Sequence, residues 1–536
     1  MSIVTRPLRS AAARQLAIVI AITVPIISCE TLPEEPPDHA DIAFATVDEL
    51  GERLASGDVS SEQLVRALIA RIDVVDNTGP TINAVIDVNP DALAIAIELD
   101  QERAQGAVRG PLHGVPILLK ANIDTSDRLA TTAGSAALAD HIARDDARLV
   151  DDLRKAGLII LGKTNLSEWA NFRSSDSVSG WSSVGGLTRN PYVLDRNACG
   201  SSSGSAAAVA AGLAPLAIGT ETDGSIVCPA SINGVVGVKP TLGLVSRDGI
   251  IPIAISQDTA GPMARTVRGA AALLSALAAL DKHDPASDGH PGVADYTASM
   301  LAVEVDDLRI GVWRDYFGSG RYASVDALLD TVAGDLAALG VDVADPANVE
   351  LPDSAGDAEY EVLLIEFRDG LNRYLAGTDL PADRRTLDAL IAWNEQHKQT
   401  AMPWFGQDIF EAAAAAAEAG SDAHTKALNA SGAAMRSALN ALFSAQQLDA
   451  VIMPSNGPAW PNDRVSGDRF GVGSSSLAAV SGWPSVTVPA GQQHGLPLGV
   501  SIIGKPYSEA LLLAVAARIE AARGGFQQPT FIPTLE

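Results

Sequence analysis

Between residues 43 and 75 the apolar positions recur at three- and four-residue intervals. Val47, Leu50 and Leu54 share one face of ATVDELGERLASG, and SSEQLVRALIARID repeats the pattern. This spacing predicts two amphipathic helices, with Ser60 or Ser61 as N-cap of the second. Further on, the pattern changes to short apolar runs without period-two alternation: VPILLKA, LIILGK, LAIGT, VVGVKP, RIGVW, AVIMP, SVTVPA and LGVSIIG. Such runs read as strands covered on both faces. Helix-like stretches separate several of them, among them DARLVDDLRKAG and an Ala/Leu-rich stretch starting near Ala264. The order predicts an α/β sandwich around a largely parallel or mixed sheet, with no second domain. Residues 281–300 and 315–425 read as a peripheral, mostly helical insertion, and EAAAAAAEAG at 411–420 as a strong helix former.

The N-terminus follows a different pattern. Arg6, Arg9 and Arg14 precede the apolar run Leu16–Ser28, which is short for a membrane span. It ends in IISC, which resembles a bacterial lipobox, so Cys29 is the expected lipidation site; an ordinary secretory signal or uncleaved anchor is the alternative. The Pro- and acid-rich TLPEEPPDHAD reads as an extended tether. The expected division is a signal at 1–28, a tether at 29–42 and a catalytic domain at 43–536. The protein is expected to be exported, either as a membrane-anchored lipoprotein or free in the periplasm or outside the cell.

Composition narrows the partners. The 536 residues carry a formal net charge of -27, which repels phosphate backbones and anionic headgroups. No nucleic-acid partner is expected, and the membrane is met only through the N-terminal anchor. A monomer is expected. Three cysteines are present, Cys29, Cys199 and Cys228. Export would permit a bond between the last two, but spacing alone leaves their pairing open. The histidines form no HExxH-like constellation, so neither metal nor other cofactor is expected.

Three segments carry candidate chemistry: LHGVPILLKANIDT with Lys120, CGSSSGSAAAVA with Ser201, and GTETDGSIVCPA with Ser225. Taken singly, Lys120 reads as a solvated strand-end lysine and the serines as turn or capping hydroxyls. Taken together they suggest a nucleophile, a relay and a base. Flanking glycines permit close backbone approach, and the turn at Gly224-Ser225 leaves N–H groups to cradle an anion. A serine needs a base, and no histidine lies in these segments. A lysine of ordinary pKa is neutral only about once in 2,500 at pH 7, but burial at the end of an apolar strand lowers that pKa.

In these segments the chain resembles the amidase signature family, whose hallmark is a Ser–cis-Ser–Lys triad. The likeness runs from about Ala45 to Ile503 and is strongest to the peptide amidase branch, in LGKTNLSEWANF, SGWSSVGGLTRNPY, GTETDGSIVCPASINGVVGVKPT and SQDTAGPMAR. It implies a single-domain α/β/α sandwich around a large twisted mixed sheet. By motif position, Lys120 takes the place of the base, Ser201 that of the cis relay serine and Ser225 that of the nucleophile. The oxyanion hole falls to the N–H groups of Thr222, Asp223, Gly224 and Ser225, and Ser202, Ser203 and Ser205 would fix the turn. Two positions depart from many relatives: Ala121 stands where Asp follows the lysine, and Cys199 where a glycine precedes Gly200. The implied activity is hydrolysis of a small peptide-amide or amide substrate through an acyl-enzyme, with ammonia released from C-terminal peptide amides. The alternatives are an amidase of small aliphatic or aryl amides, a glutaminase component of a tRNA-dependent transamidase, and a binding lipoprotein without catalysis.

Overall fold

The computed structural model describes residues 41–352 and 354–535. The expected signal, Cys29 and the tether as far as residue 40 lie outside the described residues. Ile42, the last residue of the expected tether, is buried.

Among the described residues thirteen strands are numbered in chain order: β1 Val85–Val88, β2 Pro116–Lys120, β3 Ile159–Thr164, β4 Trp181–Ser182, β5 Gly186–Leu187, β6 Leu216–Glu221, β7 Val236–Lys239, β8 Thr259–Ala264, β9 Arg309–Val312, β10 Asp342–Ala344, β11 Ala450–Pro454, β12 Ser485–Gln493 and β13 Leu496–Gly504. Eleven of them form one sheet in the order β1-β3-β2-β6-β8-β7-β12-β13-β11-β9-β10, and β4 and β5 pair separately. Within the large sheet, β2 runs parallel to β3 and β6, and β9 parallel to β10 and β11. The other pairings are antiparallel, so the sheet is mixed.

The missing alternation in the strand sequences has a direct cause. Every residue of β2, β3 and β6 is buried. Successive side chains enter opposite layers. Ile117, Leu119, Ile160, Leu216 and Ile218 join one core with the helices Val47–Ser56, Arg148–Lys155, Val267–Leu277 and Glu509–Arg523. Leu118, Ile159, Leu161 and Ala217 join another with the helices Ala92–Ala104, Ser203–Ala210 and Val227–Ile232. That is the α/β/α sandwich. Both predicted N-terminal helices form, and Ser60 caps the second in a capping box with Gln63.

Three expectations need correction. The stretch from Ala264 begins as strand: Ala264 closes β8, and the helix starts at Val267 behind the Thr266 cap. The run 411–420 is helical only to Ala414; Gly420 adopts φ +79° and Ser421 caps the next helix. Residues 315–425 are not wholly peripheral, because β10 pairs with β9 in the main sheet. The helix Ala323–Ala338 packs into the first core through Val325, Leu329, Val332 and Leu336, while the helices Ala355–Ala376, Leu387–Gln396 and Asp408–Ala414 build a third core with Trp169, Phe172 and Ile251.

Candidate active site

Because β2 lies between β3 and β6, its last residue, Lys120, is carried into the interior with no exposed surface. Three oxygens surround its amine: Ser201 Oγ at 2.7 Å, Thr220 Oγ1 at 2.8 Å and the Thr220 carbonyl at 3.1 Å. Thr220 sits on β6, the parallel neighbour of β2. Burial lowers the pKa of Lys120 to about 7, against the opposing pull of Glu221 and Asp258. Burial raises Asp258 to about 6 and also raises Glu221, which weakens the charges that would otherwise hold the lysine protonated.

Ser201 precedes the helix Ser203–Ala210, and the Gly200–Ser201 peptide is cis. A Cβ at Gly200 would stand 2.2 Å from Ser167 Oγ and 2.7 Å from Asn171 Oδ1, so a larger residue would have to displace both side chains. The neighbouring hydroxyls hold the turn. Ser202 Oγ donates to the Thr220 carbonyl at 3.0 Å and accepts from the Thr220 N–H at 3.1 Å. Ser203 Oγ donates to the Cys199 carbonyl at 2.5 Å, and Ser205 Oγ to the Ile218 carbonyl at 2.9 Å. Ser202 and Ser205 therefore stitch the serine-rich stretch to β6, and Ser203 closes its turn.

Ser225 follows Gly224, whose φ of +79° turns the chain out of β6. The turn is tied at both ends. The Ser202 N–H donates to the Ser225 carbonyl at 3.1 Å. Glu221 Oε2 accepts from the N–H groups of Ile226 at 2.7 Å and Val227 at 3.0 Å. Between those ties the N–H groups of Asp223, Gly224 and Ser225 donate to no acceptor among the described residues, and the Ser225 hydroxyl has no hydrogen-bond partner there. Ser225 is 8% exposed. The structure thus joins Lys120 to Ser201 directly and brings Ser225 to their turn through the backbone. Beside Ser201 opens a cavity of about 440 Å³, lined by Asn122, Ser201, Thr220 and Thr222, by an apolar wall of Ile250, Ile251, Pro252, Ile253 and Ile255, and by Tyr374.

A disulfide joins Cys199 to Cys228, with Cα atoms 6.1 Å apart. Cys228 therefore has no free thiol. Asn122, Thr220 and Glu221 were not singled out from sequence, although the first lies within the LHGVPILLKANIDT segment and the others within GTETDGS. Among the described residues no group of His, Cys, Asp and Glu is placed to hold a metal.

The Amidase family model matches residues 63–513. The native peptide amidase of Stenotrophomonas maltophilia superposes with a TM-score of 0.84 at 47% identity, over 91% of this chain and 98% of that one. A probable amidase of Arabidopsis thaliana is 36% identical over 92% of each chain. A glutamyl-tRNA(Gln) amidotransferase chain from Moorella thermoacetica is 35% identical over 90% of this chain and 97% of its own length. The chain belongs to the amidase family, within its amidase signature group, and is an enzyme that hydrolyses amide bonds.

Proposed function

We propose that the enzyme deamidates C-terminal peptide amides through an acyl-enzyme on Ser225, with Ser201 as relay and Lys120 as base. The observation that carries this reading is the fully buried Lys120 amine at 2.7 Å from Ser201 Oγ. With a pKa lowered to about 7, a large share of that amine is neutral at neutral pH and able to take a proton. In the forward step Ser225 Oγ bonds to the amide carbon, its proton passes to Ser201, and that of Ser201 passes to Lys120. The negative charge that develops on the carbonyl oxygen is met by the unspent N–H groups of Asp223, Gly224 and Ser225, with Thr222 at the rim. The proton then returns through Ser201 to the nitrogen, the C–N bond breaks and ammonia departs. Water repeats the sequence on the acyl-enzyme and frees the acid.

The peptide-amide substrate is favoured by the 47% identity to a peptide amidase and by a cavity whose long apolar wall suits a peptide side chain. The transamidase reading, which the amidotransferase relative brings in, is opposed by the net charge of -27, ill-suited to a tRNA partner. Two measurements test the proposal. A fluorophosphonate should label Ser225, and Ser225→Ala should abolish ammonia release; full activity in that variant refutes the nucleophile. Across a panel of amides, peptide amides should be turned over best. Preference for small aryl or aliphatic amides refutes the substrate.

A further inference from the structure

Two side chains that line the cavity hold a buried oxygen without a hydrogen-bond partner, Asn122 Oδ1 and Glu221 Oε1. Glu221 is engaged below the nucleophile turn: its other oxygen takes the Ile226 and Val227 amides, and the charge that most favours its ionised form is that of Lys239. Asn122 is placed differently. It is 5% exposed and sits two residues beyond Lys120. Its backbone carbonyl accepts from the Ile251 N–H at 2.9 Å, on the cavity's apolar wall. Its Nδ2 donates at 3.1 Å to Thr220 Oγ1, the same hydroxyl that accepts from Lys120. The carboxamide is therefore held by its donor end beside the base, and its acceptor end remains without a partner. A buried acceptor in that condition carries a desolvation penalty until a donor reaches it.

The reaction supplies such a donor. With the substrate's carbonyl oxygen on the turn amides, its remaining polar atom at the reacting centre is the carboxamide nitrogen. That nitrogen must lie near the Lys120–Ser201 pair to receive its proton. We propose that Asn122 Oδ1 accepts an N–H of the scissile carboxamide and then of the departing ammonia, making Asn122 the residue by which this enzyme selects amides over esters. An ester offers an oxygen with lone pairs at that position and leaves Oδ1 unpaired against it. The inference rests on the Lys120–Ser201–Ser225 reading above.

The test is a ratio: kcat/KM for a peptide amide divided by kcat/KM for the methyl ester of the same peptide. In Asn122→Ala, and in Asn122→Leu, which fills more of the space, this amide-to-ester ratio should fall about tenfold or more. Asn122→Asp keeps an acceptor and should lose less of it. Fluorophosphonate labelling of Ser225 identifies the variants that fold. A ratio within twofold of wild type in a labelling variant overturns the inference. Asn122 is also read without altering it. A Ser225→Ala enzyme should bind a peptide N-methylamide about tenfold more tightly than the isosteric methyl ester, and equal affinities overturn the inference. Failure of the underlying triad looks different, because Ser225→Ala would then consume the substrate.

Discussion

At the scale of single residues, the proposed chemistry turns on how far burial lowers the pKa of Lys120. Its ordinary pKa lies far above neutrality, burial brings it to about 7, and the nearby acids that would raise it are themselves shifted toward their neutral forms. The sign for activity follows. Below about pH 7 the amine is an ammonium and has no lone pair to offer, so kcat/KM should fall about tenfold per unit as pH drops and level off above it. A profile flat from pH 5 to 8 would exclude Lys120 as the base. Lys120→Arg keeps the charge but not the ability to shed it, and Lys120→Ala removes both. Each should lose about 10²- to 10⁴-fold in kcat, while Ser201→Ala should lose less if water can bridge the gap. Steady-state rates of the purified variants decide this. Lys120, Ser201 and Ser225 could be put forward from the sequence because each sits in a short, unusual motif, and the structure brings their segments together. Asn122 could not be, because its significance lies in which of its two ends is already used, and that depends on Thr220, ninety-eight positions away.

At the scale of elements, two segments on either side of β6 carry the serines, and a covalent bond joins their outer ends. Cys199 lies two residues before Ser201 and Cys228 three after Ser225. Closing a loop of sequence separation 29 stabilises the folded chain by about 3.6 kcal/mol on the chain-entropy account. Replacing both cysteines by alanine should lower the urea midpoint accordingly, and an unchanged midpoint would show the bond to be dispensable. The bond was not readable beforehand, since spacing does not report Cα separation. The eight apolar runs that were readable as strands share one property, burial on both faces. The strands that escaped lack it or disguise it. β1 and β10 are short and partly exposed, β4 and β5 have two residues each, and β8 reads TAGPMA, with glycine and proline inside a strand that is buried throughout.

At the scale of the whole molecule, the described residues and the N-terminal signal pattern pose separate questions. We propose that the enzyme is exported and lipidated at Cys29; the Cys199–Cys228 bond supports an oxidising compartment. Mass spectrometry of the mature N-terminus and detergent partitioning should find a diacylglyceryl cysteine, and a water-soluble chain beginning elsewhere would refute the anchor. One property of the sheet reaches further than the site it holds. Ile117 and Leu119 enter one core while Leu118 enters the other, so the side of β2 on which Lys120 emerges is fixed by parity. Adding or deleting a single residue between Pro116 and Lys120 would send the amine into the layer opposite Ser201, however conservative the inserted residue. The same edit in the surface loop around Gly420, where a Cβ would meet nothing within 4 Å, leaves that parity untouched. Across descendants of this chain, length is therefore far more tightly constrained than composition in these five positions, and far less so at the rim of the helical insertion.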